Sequence, residues 1–539
     1  MSVCFSLIQP DSAYVNGEWV QSQSNQYFDI YDPASGRVVA KVPDLDESQC
    51  VAAIEGASAA AEKLKSLTGK SRGQILRRWF ELVLESKDDI AQLITVENGK
   101  PLAEAKGEVS YASDFIDWFA GAAPRISGTV EQASNPSNRV ITIKQPVGIV
   151  GIITPWNFPA AMITRKVAAA LAAGCPCIVK PAPETPLTAL ALANLASRAG
   201  FPDGSISIVT TRKNTIAIGK VLTQHPLIRK FSFTGSTAAG KILSSQCTQT
   251  VKRVSLELGG NAPVIVFEDA DLERTTDAIL MSKFRLSGQT CVCANRIYVQ
   301  SSIYDKLAAM LKAKVERFRL GAGLDPETTH GPLINKQAVD KVDYHVRDAV
   351  ERGAKILVGG QRAPQLGESF YLPTILLDVP FDALCAREET FGPLLPMFKF
   401  ETEDEVMTLA NKLEAGLAGY LFTTNVSRAW QVAEGVEVGM IGVNTGIISD
   451  VASPFGGVKQ SGQGREGSSI GIDEYLEVSP IIVNGKIKTM ADIPYPSRSK
   501  ALLLAFSQKE LWADSCFLFF TSLFERDRCN RTTLGSNTS

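Results

Sequence analysis

The sequence predicts an α/β protein built from two domains, each a parallel sheet wrapped by helices. Three observations carry that expectation. Apolar runs of strand length alternate with helical stretches from residue 147 onward. The alternation restarts at NRIYVQ (295–300) and continues to about residue 460. Finally, 539 residues, 45% hydrophobic and 21% charged, are ordinary for a folded chain but too many for one core. Strands alternating with helices of this length form a parallel sheet, because each crossover must lie on a sheet face.

VGIVGII (147–153) is a buried strand, and PWNFPAAMITRKVAAALAAG (155–174) is a loop and an Ala-rich helix stopped by Gly174. CPCIVK (175–180) is a strand. TPLTALALANLASRAG (185–200) is a helix with Thr185 as N-cap and Pro186 in its first turn. SISIVT (205–210) is the next strand. RKFSF (229–233), the turn TGS and the helix start STAAGKIL repeat the unit. RVSLEL and PVIVFE are strands around the turn GGNA, and Asp271 to Leu286 is a helix running into the extended loop GQTCVCANR (288–296). From about Ser479 the apolar clusters lose their period, and residues 485–539 form a tail of no assigned structure.

Composition excludes several functions. A net charge of −2 argues against a nucleic-acid or membrane-surface partner. No apolar run reaches the ~20 residues of a membrane span. Ten scattered cysteines indicate free thiols in a reducing compartment, and no basic residue precedes Arg37, so the chain reads as cytoplasmic. Three histidines, none in HxxxH or HxH spacing, leave no metal site in view. The NRT at Asn530 fits a glycosylation sequon but not that compartment.

Four local motifs could carry chemistry, and each has a plain alternative. Gly235 before a helix N-terminus suits a pyrophosphate or is an ordinary tight turn; the GxGxxG fingerprint is absent. Lys180, at a strand's C-terminal end, either contacts ribose or phosphate oxygens or is a surface lysine. Glu257, between Leu256 and Leu258, is either a desolvated base or the partner of a nearby cation. Cys291 is either a nucleophile needing help to become a thiolate or a small buried apolar residue.

Together the motifs are far more specific. PWNFP, KPAxxTP, FTGS, ELGGNAP, GQTC, EExFGP and PFGGxxxSGxGRE follow one another as Trp156–Pro159, Lys180–Pro186, Phe233–Ser236, Glu257–Pro263, Gly288–Cys291, Glu388–Pro393 and Pro454–Glu466. This order resembles the aldehyde dehydrogenase superfamily over roughly residues 12 to 478. NFPAAMITRKVAAALAAGCP, GQTCVCANR, VNTGIIS and PFGGVKQSGQGREGSSIGIDEYLE are similar to its succinate-semialdehyde dehydrogenases.

The resemblance implies that fold: a Rossmann-like NAD(P)-binding domain (1–125 and 147–258), a catalytic domain (259–455) and a small β oligomerisation element (126–146 and 470–484) of a homo-oligomer. It implies that Cys291 attacks the aldehyde, that the Asn157 amide and the Cys291 N–H hold the oxyanion, and that Glu257 activates the water that hydrolyses the thioester. Trp156, Lys180, Gly235, Ser236, Glu389 and Phe391 would hold NAD or NADP. Arg165, Arg285 and Ser449 would grip the distal carboxylate of a semialdehyde, a task suited to the guanidinium fork. A glutarate semialdehyde, one methylene longer, is the nearest alternative substrate, and a catalytically silent binding member of the fold is the alternative of another class. Cys293 would be a redox partner of Cys291 or a packing residue. Two departures stand out: Pro183 occupies the position of the acid common in NAD-preferring members, and YLEVSPIIV replaces the usual closing strand.

Overall fold

The structure is a computed structural model that describes residues 6–484. The expectations for the tail 485–539 and for Asn530 lie outside the described residues. Among the described residues no helix is long and apolar enough to cross a membrane.

Residues 6–128 and 143–479 belong to one compact unit containing two large sheets. The first has eight strands in the order Glu18–Val20, Ala13–Val15, Ile206–Ile208, Cys177–Lys180, Ile149–Ile153, Ile228–Thr234, Arg253–Glu257 and Gly462–Gln463. Its five central strands are parallel, and antiparallel pairs close both edges. The strand Ile149–Ile153 lies in the middle. Later strands build outward on either side of it, which makes its C-terminal end a topological switch point. The second sheet has seven strands, Lys355–Val358, Thr374–Leu377, Leu394–Phe400, Ala294–Gln300, Ala262–Val266, Ala418–Phe422 and Met440–Val443, parallel except at the Lys355–Val358 edge.

The turn Leu258–Asn261 carries the chain from the first sheet to the second. Its two glycines have steric reasons. A Cβ on Gly260 would lie 2.8 Å from the Cys291 carbonyl oxygen, and one on Gly259 would lie 2.8 Å from a Glu389 carboxylate oxygen. A side chain at Gly260 would push the turn off the cysteine loop, and one at Gly259 would displace the Glu389 carboxylate.

Three expectations are corrected. The helix entering the cysteine loop spans Leu272–Phe284, not 271–286: Asp271 is its N-cap, and Leu286 and Ser287 both take φ of 50°, which no helix accommodates. Thr185 stands at the N-cap of the helix Pro186–Arg198 but makes no capping bond. Buried Glu97 does so instead, accepting from Leu187 N–H at 2.7 Å, Thr188 N–H at 3.0 Å and the Thr188 hydroxyl. The cysteine loop is a turn rather than an extended segment, closed by Cys293 N–H donating to the Thr290 carbonyl at 3.1 Å.

Buried cations meet carboxylates from the last part of the unit. Lys166 pairs with Glu466 and donates to Ser232 Oγ at 3.1 Å. Lys230 donates to Ser255 Oγ at 2.5 Å and to Glu474 at 3.0 Å. A lysine ammonium inside a core is tolerated only when so matched.

Residues 129–142 and 480–484 belong to a separate compact unit. The strands Val130–Gln132, Asn138–Pro146 and Leu476–Asn484 make a three-stranded sheet, so YLEVSPIIV forms a strand despite its unusual sequence. Val130, Ile481 and Ile482 are exposed on it.

Replacing Glu97 strands two helix N–H groups and a hydroxyl in the core. Glu97→Ala should therefore lower unfolding free energy by about 2–3 kcal/mol, read as a lower urea midpoint, with Glu97→Gln losing less. Equal midpoints for Glu97→Ala and the wild type would refute this capping role.

Candidate active site

The C-terminal ends of the first sheet's strands and the N-terminal ends of inner strands of the second converge on one cavity of about 430 Å³. Trp156 and Asn157 follow the central strand, Gly235 and Ser236 follow Ile228–Thr234, and Glu257 ends its own strand. Cys291 arrives from the cysteine loop, and Glu389 and Phe391 from the segment before Leu394–Phe400. The structure thus gathers eight sequence-predicted residues around one space.

The Cys291 thiol is pushed up to about 12, chiefly by burial; the Arg165 charge opposes this, while Glu389 and Glu257 add to it. Asn157 is buried, its Nδ2 donating to the Gln289 carbonyl at 3.0 Å. One Nδ2 hydrogen is therefore committed and the other is free for a ligand. Lys100 fixes the same residue from behind: its Nζ donates to the Asn157 carbonyl at 2.8 Å and pairs with buried Glu108. Glu108 in turn accepts from Ala160 N–H at 2.8 Å, at the head of the helix Ala161–Ala173.

Glu257 is buried, and its Oε2 has no hydrogen-bond partner. Its carboxyl is raised well above the ordinary value, first by burial and then by Glu466, with Arg165 and Lys166 opposing. Those two cations are already engaged by Glu466, whose carboxyl they hold low. The simple alternative, a glutamate paired with its own cation, is thereby excluded for Glu257. Glu389 is raised to about 7 by burial, while its Oε1 accepts from Gly260 N–H at 3.3 Å. Phe391 takes a left-handed φ of 56° and meets Trp156 edge to face at 5.5 Å.

Arg165 and Arg285 lie outside the lining of this cavity. Arg165 is fully buried, with Nε against Glu466 and its guanidinium 4.2 Å over the Phe455 ring, and its charge reaches both Cys291 and Glu257. Arg285 sits 5.3 Å from the Phe158 ring, whose centroid also has Lys100 at 4.2 Å. The fields of both arginines fall on Tyr111. Ser449 is half-buried and makes no side-chain hydrogen bond among the described residues. Lys180 is buried at its strand end, donates to the Pro181 carbonyl at 3.1 Å, and is lowered to about 8 by burial, with Glu184 and Asp44 opposing. Pro183 and Glu184 line an adjoining space of about 760 Å³ with Arg212, whose Nη2 donates to the Pro183 carbonyl at 3.4 Å.

Cys293 points away from the cavity. Its Sγ lies 2.6 Å from Thr290 Oγ1 and 3.2 Å from the Gly288 carbonyl. Sequence reasoning missed Lys100, Glu108 and Lys166, because an isolated lysine or glutamate in a helix reads as a surface residue. Glu466 stood in a quoted motif without a role.

Residues 19–481 match the model of the aldehyde dehydrogenase family. A succinate-semialdehyde dehydrogenase [NADP(+)] of Schizosaccharomyces pombe is 54% identical over 88% of this chain and 95% of its own. A glutarate-semialdehyde dehydrogenase of Pseudomonas putida is 51% identical over 88% and 97%. The crystal structure of a succinate-semialdehyde dehydrogenase from Burkholderia pseudomallei superposes with a TM-score of 0.87 at 49% identity, covering 89% of this chain and 99% of that one. With the thiol, the amide and the unpaired carboxylate around one cavity and this agreement along the chain, the protein belongs to the aldehyde dehydrogenase family.

Proposed function

We propose that the protein oxidises succinate semialdehyde to succinate, as in 4-aminobutyrate degradation, using NADP+ or NAD+ and a thioester on Cys291. The observation that carries the substrate is the pair of arginines, Arg165 and Arg285, whose charges both bear on Tyr111, that of Arg165 bearing on Cys291 as well. A four-carbon aldehyde with one carboxylate would place its charge there while its carbonyl carbon faces the thiol. Ser449 is the third candidate for that carboxylate. The names of the relatives support both succinate and glutarate semialdehydes. The second is kept as the alternative, since one methylene is weakly discriminated.

The fit to a dinucleotide rests on a turn and a helix start. Ser236 caps the helix Thr237–Cys247, whose first N–H groups border the cavity beside Gly235. Lys180, Gly235 and Ser236 would hold ribose and pyrophosphate, Glu389 and Phe391 would position the nicotinamide ribose and ring, and Trp156 would complete the cofactor site. When bound, the dinucleotide supplies the two-electron acceptor for the aldehyde carbon. The sheet containing Lys180, with the helices around it, is the proposed cofactor domain, and the sheet beyond residue 259 the catalytic one. Pro183 takes the usual acid out of its position, with Glu184 one residue later, and Arg212 beside them is a charge that attracts a 2′-phosphate, so NADP+ is accepted. Two relatives are named for it.

The chain's own residues divide the work. Cys291 loses its proton and bonds to the carbonyl carbon. The free Nδ2–H of Asn157 and the Cys291 N–H hold the oxygen as it gains charge. Glu257 takes a proton from water as that water attacks the thioester, and its raised carboxyl suits a base. We place the enzyme in the cytoplasm as a homo-oligomer joined through the three-stranded sheet, whose exposed valine and isoleucines would be covered there. Cys293 is proposed as a redox partner: an Sγ–Sγ bond to Cys291 would form as both thiols lose protons and peroxide takes the two electrons to become water. Cys293 must first leave Thr290.

The substrate is tested with NADP+ and NAD+ against a panel of aldehydes. Arg285→Ala should lower kcat/KM for succinate semialdehyde about 10- to 150-fold more than for butanal; equal losses would reject the carboxylate clamp. Arg165→Ala is the less clean variant, because it also leaves Glu466 short of a partner. Only the thiolate is alkylated, so iodoacetamide labelling of Cys291 in the cofactor-free protein should climb about tenfold per pH unit through the alkaline range. A plateau by pH 7 would show the thiolate already formed. After brief peroxide treatment, dithiothreitol should restore activity in the wild type and less of it in Cys293→Ala; identical recovery would leave Cys293 as packing.

A further inference from the structure

Tyr111 was singled out by no motif. It lies on the helix Leu102–Ala122, and its ring is fixed edge to face against Phe115 at 4.9 Å and 69°. Its hydroxyl is buried: the Arg165 guanidinium faces the phenol oxygen as a donor, but among the described residues the O–H proton has no acceptor. A buried tyrosine hydroxyl ordinarily finds one, because desolvating it unpaired costs stability. The groups around it explain what is missing. Arg165 and Arg285 are cations that only donate, and Arg165 Nη2 is itself buried and unpartnered. Glu466 also faces the phenol, but Lys166 and the Nε side of Arg165 occupy it. Burial raises the phenol while both arginines pull it down, so it keeps its proton at neutral pH and can donate.

The phenol proton and the Arg165 guanidinium thus stand together with no free anion to accept from them. The group that completes them is an anion with two oxygens. Arg165 links the two places, because its charge bears on both the Cys291 thiol and the Tyr111 phenol. We propose that the Tyr111 hydroxyl is a third donor to the substrate carboxylate, a specificity-determining group beside Arg165 and Arg285. The proposal rests on the reading of the substrate as a carboxylated aldehyde. The phenol adds direction to what two cations supply as charge: it is rigid, carries one donor, and favours a carboxylate set at one distance from the aldehyde.

Tyr111→Phe removes the hydroxyl and keeps the ring, and an unchanged thermal melt would confirm that the variant folds. The expected result is a fall of about tenfold or more in the ratio of kcat/KM for succinate semialdehyde to that for butanal. The change should lie mainly in KM, and the inhibition constant of succinate should rise in parallel. If the ratio and the succinate constant stay put in Tyr111→Phe while Arg285→Ala collapses the ratio, the phenol holds only a water, and the proposal falls with the substrate reading intact. If the wild type itself does not prefer succinate semialdehyde to butanal, the substrate reading fails and takes the proposal with it.

Discussion

Buried Glu466 is the group on which the rest of the site depends. It binds Lys166 and Arg165, neighbours on a helix whose thirteen residues are all buried. Two cations inside a core require an anion, and Glu466 comes from 300 residues further along the chain. By occupying Lys166 and one side of Arg165, it leaves Glu257 without a cation of its own and turns the remaining Arg165 nitrogen toward Tyr111. Its charge also adds to the burial that raises the Glu257 carboxyl. One buried carboxylate therefore sets the state of Glu257 and the orientation of the Arg165 guanidinium.

Desolvation is the common electrostatic theme. Burial is the leading cause of the shift at Cys291, Glu257, Glu389 and Lys180, and in each it favours the uncharged form. A site kept dry in this way strengthens any hydrogen bond made to a developing charge. Its polar atoms are also supported from behind, as Lys100 and Glu108 support Asn157.

The alternating sheets and strand ends were legible in the sequence because a buried parallel strand is a short apolar run and a loop at its C-terminal end carries chemistry. The order of motifs then made Cys291, Glu257 and Asn157 readable as a set, and the structure brings these three together. What stayed hidden is long-range. Glu97 caps a helix about 90 residues away, a pairing that no local pattern encodes. Tyr111 and Lys100 sit in helices whose periodicity says nothing of the partner opposite them. The helix before Arg285 ends early because Leu286 and Ser287 adopt left-handed backbone that their side chains do not advertise.

The late carboxylates also bear on synthesis. Lys166 and Lys230 enter the core of the first sheet's unit, but the groups that neutralise them, Glu466 and Glu474, are among the last of that unit to be made. Throughout most of translation the nascent chain holds two ammonium groups that cannot be buried without an unpaired charge. The ion pairs that complete the first sheet's core therefore close only when the final stretch of the unit has emerged.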